Sequence, residues 1–202
     1  MRRVLVVLAL LALALPTAAW ADDFTLTNWF GSISVSNAGV SSVGSQLHIF
    51  NSIVAPAGHA LGSVSFHTGA LISGSLFTGA TFAGGAASSF IVTGKGNYGQ
   101  PKGTIFTGSF VGPVNWTVVS HVKQLWTFQL EGKIAGTLWD GRNATGTTIQ
   151  TIYAANGQFI KNVGHIRVGN TTLTTPEPGT LGLLGTGLVG IAGMFRRKLI
   201  GT

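Results

Sequence analysis

Val114-Asn115-Trp116-Thr117-Val118-Val119, Leu125-Trp126-Thr127-Phe128-Gln129-Leu130 and Lys133-Ile134-Ala135-Gly136-Thr137-Leu138-Trp139 follow one another with short polar breaks. Bulky and β-branched side chains alternate with polar ones in these runs. That is the period-two pattern of a strand with one face in a core and one in water. Downstream, Thr148-Ile149-Gln150-Thr151-Ile152-Tyr153 leads to Asn156-Gly157 and then Gln158-Phe159-Ile160. Asn-Gly tolerates positive φ at both central turn positions and marks a hairpin. Upstream, Phe24-Thr25-Leu26-Thr27, Gln46-Leu47-His48-Ile49-Phe50 and Ser63-Val64-Ser65-Phe66 carry the same signal. Short strands with glycine-marked turns, and no convincing amphipathic helix, predict an all-β body: an antiparallel β-sandwich or barrel.

One weak repeat stands inside the body. Gly74-Ser75-Leu76-Phe77-Thr78-Gly79-Ala80 matches Gly103-Thr104-Ile105-Phe106-Thr107-Gly108-Ser109, and Phe82-Ala83-Gly84 matches Phe110-Val111-Gly112. Two copies do not make a solenoid, so they read as two similar strands with phenylalanines on one face. The small residues Ala83 to Ser89 read as a loop.

The formal net charge is +7 over 202 residues, with a pI near 10.4, which by itself suggests an acidic partner. The placement of the charges argues otherwise. Arg2 and Arg3 open the chain, and Arg196, Arg197 and Lys198 nearly close it. Without these five, seven cations face five acids, a net +2. The seven are scattered, so no concentrated face for phosphate exists and no nucleic-acid partner is expected. The chain has no cysteine, which excludes disulfides, thiolate nucleophiles and cysteine-ligated metal.

The two ends read as addresses. Arg2 and Arg3 precede an uncharged apolar run from Val4 to Leu15, then Pro16 and Ala19-Trp20-Ala21 before Asp22. This order predicts a signal peptide over 1–21, with Ala19 and Ala21 in the subsites of a signal peptidase. At the other end, Pro176-Glu177-Pro178 forbids a helix before the oily run. No side chain from Leu181 to Phe195 is charged, and Arg196, Arg197 and Lys198 act as a membrane stop. A single transmembrane helix is expected over about 180–195. Roughly 16 helical residues reach about 24 Å, slightly short of a bilayer core, and snorkelling cations and bilayer thinning make up the difference. The cations put the Pro-Glu-Pro side outside. The expected organisation is therefore 1–21 signal peptide, 22–174 exported all-β domain and 175–202 tail.

Pro176-Glu177-Pro178, the glycine-rich apolar span and the basic cluster, in that order, resemble the PEP-CTERM sorting signal of Gram-negative bacterial surface proteins. The resemblance covers Thr175 to Lys198. It implies an exosortase as processing partner, Pro176, Glu177 and Pro178 as the residues that enzyme recognises, membrane attachment through the C-terminal helix, and exopolysaccharide and biofilm as the setting.

Catalytic signals in the body are sparse. Glu131 and Asp140 are the only acids in its core, and a two-carboxylate glycosidase would need both. Asp140-Gly141 reads as a turn, and Glu131 reads as a strand end before Gly132. His48, His59, His67, His121 and His165 form no ligand pair with metal spacing, although His59 and His67 could meet His48 across a hairpin. No G-x-S-x-G elbow is present. Gly94-Lys95-Gly96-Asn97-Tyr98-Gly99 has dinucleotide-like spacing but no following helix. No enzyme activity, metal or cofactor is expected. Trp116, Trp126 and Trp139 are candidate sugar-stacking residues if they face water. Thr145 to Thr148 suggests an ice-binding face, but no regular threonine array is expected. The expected function is an exported cell-surface or extracellular-matrix protein of structural or adhesive type. A carbohydrate-binding module is the alternative, and a glycoside hydrolase or ice-binding protein are weaker ones.

Overall fold

In the computed structural model, which describes residues 22–155 and 164–176, thirteen strands are formed by the described residues. They are β1 (Asp23–Trp29), β2 (Ser32–Ser36), β3 (Gly39–Phe50), β4 (Ile53–Val54), β5 (Gly62–His67), β6 (Leu71–Ser75), β7 (Gly79–Phe82), β8 (Ser89–Lys95), β9 (Lys102–Phe110), β10 (Val114–Val122), β11 (Leu125–Leu138), β12 (Asn143–Ala155) and β13 (Gly164–Thr174). One short 3-10 turn, Gly85–Ala87, sits in the expected loop. Every pairing is antiparallel. The pairs β1–β3, β3–β5, β5–β8, β8–β9, β9–β11, β11–β12, β12–β13 and β13–β1 return to their start, an eight-stranded barrel. Closure removes the sheet edges that an open sandwich would leave. At eight strands a barrel is just wide enough for side chains to fill it.

The runs expected as separate strands, Leu125–Leu130 and Lys133–Trp139, form one strand that ends at Leu138, with Trp139 in the turn after it. β11 runs straight through Glu131-Gly132, and what changes there is its neighbour. One edge of β11 pairs with β9 over Ile134–Leu138 and with β10 over Leu125–Glu131. β7 and β6 extend that branch. A Cβ on Gly132 would lie 2.6 Å from the Phe110 ring, so only glycine lets the strand pass under that ring.

The repeat does not fold twice in the same way. Gly103–Ser109 lies within one strand, β9, with Phe106 fully buried. The matching Gly74–Ala80 is a hairpin, with Leu76-Phe77-Thr78 between β6 and β7 and Phe77 exposed. Gly74 and its counterpart Gly103 both hold positive φ, 86° and 91°, so the difference lies at Gly79, whose φ of 120° its counterpart Gly108 does not share. Asp140-Gly141 is a turn as expected: the Gly141 amide donates to the Leu138 carbonyl at 3.0 Å. Gly94–Gly99 bridges β8 and β9.

Two kinds of interior share the barrel. Phe66, Phe90, Phe106 and Phe110 form an aromatic cluster around Phe90, whose ring centroid lies 6.1, 6.3 and 6.0 Å from the other three. Such contacts add to the gain from burial. Elsewhere β1, β3, β12 and β13 set a polar patch among their apolar inward side chains: Asn28, Ser45, Thr148, Gln150 and Thr171 are all buried. The buried Asn28 donates through Nδ2 to Ser45 Oγ (2.8 Å) and to Gln150 Oε1 (3.0 Å). Gln150 Nε2 donates to Thr148 Oγ1 (2.8 Å) and to Asn28 Oδ1 (3.4 Å). Thr148 meets Thr171 at 2.8 Å, and Ser45 donates to the Trp29 carbonyl at 3.2 Å. Both hydrogens of each amide are used, so these groups are buried without loss of partners. Gly169 makes the space: a Cβ there would lie 2.0 Å from Gln150 Oε1 and 2.3 Å from Asn28 Oδ1.

His48 on β3 stacks on Trp29 at 4.5 Å, and its Nε2 lies 3.3 Å from Gln46 Oε1. Burial disfavours the imidazolium and lowers its pKa from the ordinary value. The unfolded chain then binds the proton more readily than the folded one. The stability contributed by neutral His48 is present above about pH 6.5 and is lost as pH falls below that through the folded value. His48→Phe keeps a ring on Trp29, so its denaturation midpoint should fall less than that of the parent between neutral and acid pH.

The predicted signal peptide, the hairpin at Asn156-Gly157 with Gln158–Ile160, and the predicted transmembrane helix lie outside the described residues. Among the described residues no helix is long and apolar enough to cross a membrane.

Candidate functional site

The outer face of β11 carries Gln129, Glu131 and Lys133, because Phe128, Leu130, Gly132 and Ile134 take the inward positions. Antiparallel register then sets Ser73, Thr81, Asn115, Glu131, Ile149, Asn170 and Thr27 in one row across seven strands. At about 4.8 Å per strand the row spans roughly 29 Å. The neighbouring row is Lys133, Thr147, Thr172 and Thr25, and beyond it lie Ala135, Thr145, Thr174 and Asp23. Threonines therefore line up across strands where the sequence led to no array being expected, because the register joins residues far apart in the chain. Thr27 Oγ1 donates to Asn170 Oδ1 at 3.1 Å.

Two open depressions lie either side of the Asn115–Glu131 pair. One, about 330 Å³, is bounded by Ser73, Gly74, Thr81 and Thr117. The other, about 410 Å³, is bounded by Val111, Pro113, Lys133 and Thr147. Asn115 and Glu131 line both. Glu131 makes no hydrogen bond or ion pair with another described residue, so its oxygens face solvent as acceptors. Hydroxyls, one amide, one carboxylate and one ammonium at this spacing suit a neutral polyhydroxylated ligand, which exchanges hydrogen bonds with such groups and needs no strong charge.

The tryptophans do not form a platform here. Trp116 is fully buried, with Nε1 donating to the Leu76 carbonyl at 2.9 Å. Its even position on β10 turns the ring inward, so the expectation that it stacks on a sugar is corrected. Trp126 is half-buried. His121 covers one face of its ring at 3.7 Å, and Phe128 stacks at 5.8 Å. Trp139 is exposed, but it stands past the far end of β11, edge-on to Phe24 at 5.4 Å and Phe50 at 6.0 Å. Glu131 and Asp140 are nine residues apart along an extended strand, roughly 30 Å, too far for a carboxylate pair. Asp140 instead pairs with Arg142 Nε at 2.7 Å. The amide and side chain of Arg142 hold its carboxyl below the usual range.

His67 faces Ser41 while Gly62 faces Leu47, so His48 and His67 occupy opposite ends of the β3–β5 pair. His59 sits edge-on to Tyr98 at 6.4 Å. Among the described residues no three histidines or acids converge.

The start of the tail is built into the barrel. Thr174 pairs with Asp23 and Thr145, and its hydroxyl donates to Asp23 Oδ1 at 2.7 Å. Thr175 is buried, and Pro176 is exposed as the chain leaves. Glu177, Pro178, Arg196, Arg197, Lys198, Ala19 and Ala21 lie outside the described residues.

A PEP-CTERM protein-sorting motif matches residues 174–198, the signature of an exported protein sorted by an exosortase. Comparison with curated proteins and with solved structures returned no match.

Proposed function

We propose that this exported, exosortase-sorted chain is a cell-surface or extracellular-matrix protein of structural or adhesive type, and that its barrel holds matrix polysaccharide against the divided groove at Asn115 and Glu131. The supporting observation is the row that passes through that groove, where Ser73, Thr81, Asn115 and Glu131 stand side by side on four strands and Asn170 and Thr27 continue it beyond Ile149. A carbohydrate-binding role is the natural form of adhesion for such a surface, and it is carried by polar side chains instead of the three tryptophans. The reading is non-enzymatic: Glu131 acts as an acceptor for sugar hydroxyls, not as a general acid.

The test uses cells that produce the protein. The parent should co-purify with extracellular polysaccharide after its tail is processed. The double variant Asn115→Ala/Glu131→Gln should be released from that fraction while its denaturation midpoint barely moves, since exposed substitutions change stability by about 0.5 kcal/mol or less. Recovery of the parent solely from washed membranes, or equal retention of parent and variant, would sink the reading.

A further inference from the structure

Beyond the groove, the β10–β11 hairpin presents a different kind of surface at its tip. Past Trp116, β10 pairs with β11 alone. The strands are joined by Lys123-Gln124. Val119, Val122 and Leu125 are 56%, 64% and 44% exposed there. With Lys123, Gln124 and Ala155, the last two border a shallow depression of about 440 Å³. Below them stand the His121–Trp126 stack and, two residues along β12, Tyr153 with the Arg167 guanidinium 5.0 Å from its ring. Lys123 holds φ of 55°, a turn position that glycine or asparagine fills at less cost.

The charges here have one sign. Lys123 and Arg167 stand here, while the described carboxylates are remote. Glu131 is six residues up β11 from Leu125, roughly 20 Å, and Asp22, Asp23 and Asp140 lie at the other end of the barrel. Exposed aliphatics at a hairpin tip, amphipathic aromatics behind them and cations around them match the layers of a bilayer interface. A hydrated polysaccharide offers the valines and the leucine no apolar environment, whereas acyl chains do.

We propose that the tip Val119–Leu125 inserts into the interface of a bilayer bearing anionic headgroups, with Lys123 on the headgroups.

Because the chain has no cysteine, a single introduced thiol labels one site. Full-length Val122→Cys and, as control, full-length Asn97→Cys in the β8–β9 turn are labelled with nitrobenzoxadiazole. Both are reconstituted into phosphatidylcholine vesicles with or without phosphatidylglycerol. Expected is a blue-shifted, brighter label at residue 122, quenched by nitroxide lipid, in phosphatidylglycerol vesicles only, with no change at residue 97. Adding Lys123→Gln should lower the inserted-to-free ratio about fivefold. Three results overturn the proposal: equal responses at both sites, indifference to Lys123→Gln, or the same blue shift on adding alginate without vesicles. The last would assign the tip to acidic polysaccharide.

Discussion

Trp116→Ala should lower the unfolding free energy by about 3–5 kcal/mol, a large part of the total for a domain of this size. The ring is fully buried and stacks on Phe128 at 4.8 Å. Its loss removes a large apolar contact from the joint between the barrel and the β6–β7–β10 branch. It also strips the Leu76 carbonyl of the indole N–H, and that donor fixes the turn where the first repeat copy reverses. Urea denaturation at constant slope reads the effect as a shifted midpoint. Trp139→Ala is the internal control. Its ring is 41% exposed and touches the core only by its edges, so its cost should stay near 1 kcal/mol. Comparable shifts for the two variants would mean that Trp116 is not the buried member, and the tryptophan-based sugar platform would return.

The second large effect lies in the polar interior. Gln150→Met keeps the volume but leaves Asn28 Oδ1 and one Asn28 N–H without their partner, and removes the donor to Thr148. Orphaning buried polar groups costs about 1–3 kcal/mol each, so a loss of about 2–4 kcal/mol is expected. Asn28→Leu should cost a similar amount. The double variant should cost less than the sum, with a coupling of about 0.5–3 kcal/mol, because the second change removes a group that the first had stranded. Additive losses would show that the two amides do not act as a pair. Gly169→Ala attacks the same network from the backbone side. Its Cβ would occupy the place of both amide oxygens, so it should destabilise the barrel although alanine is the better strand residue.

The period-two alternation of Val114–Trp139 and the turns at Asp140-Gly141 were legible because each depends on neighbours a few residues apart. So was the address at 174–198, whose signal is local composition in a fixed order. Some errors came from the same locality. Lys133 to Trp139 looked like a new strand because Glu131-Gly132 looks like a break, and only the Phe110 ring above Gly132 explains why the strand continues. The two repeat copies share a pattern, and the one that bends takes at Gly79 a positive φ that its counterpart Gly108 does not, a choice the sequence permits without requiring. Trp116 obeyed its alternation and faced inward. Its neighbours Asn115 and Thr117 are the ones left outside at the groove.

By itself, then, the sequence determined that the body is built of antiparallel strands, which residues on each strand are apolar, and that the chain carries an export and sorting address. Only the tertiary structure decided that the strands close into a barrel, that Asn28 and Gln150 meet inside it, and that one row, polar except at Ile149, crosses seven strands. The reason is that alternation states which side of a strand is wet but not which strand lies beside it. Thr27 and Asn170 are separated by 143 positions in the chain, and their contact exists because closing the ring brings β1 against β13, a condition set by the packing of the whole barrel.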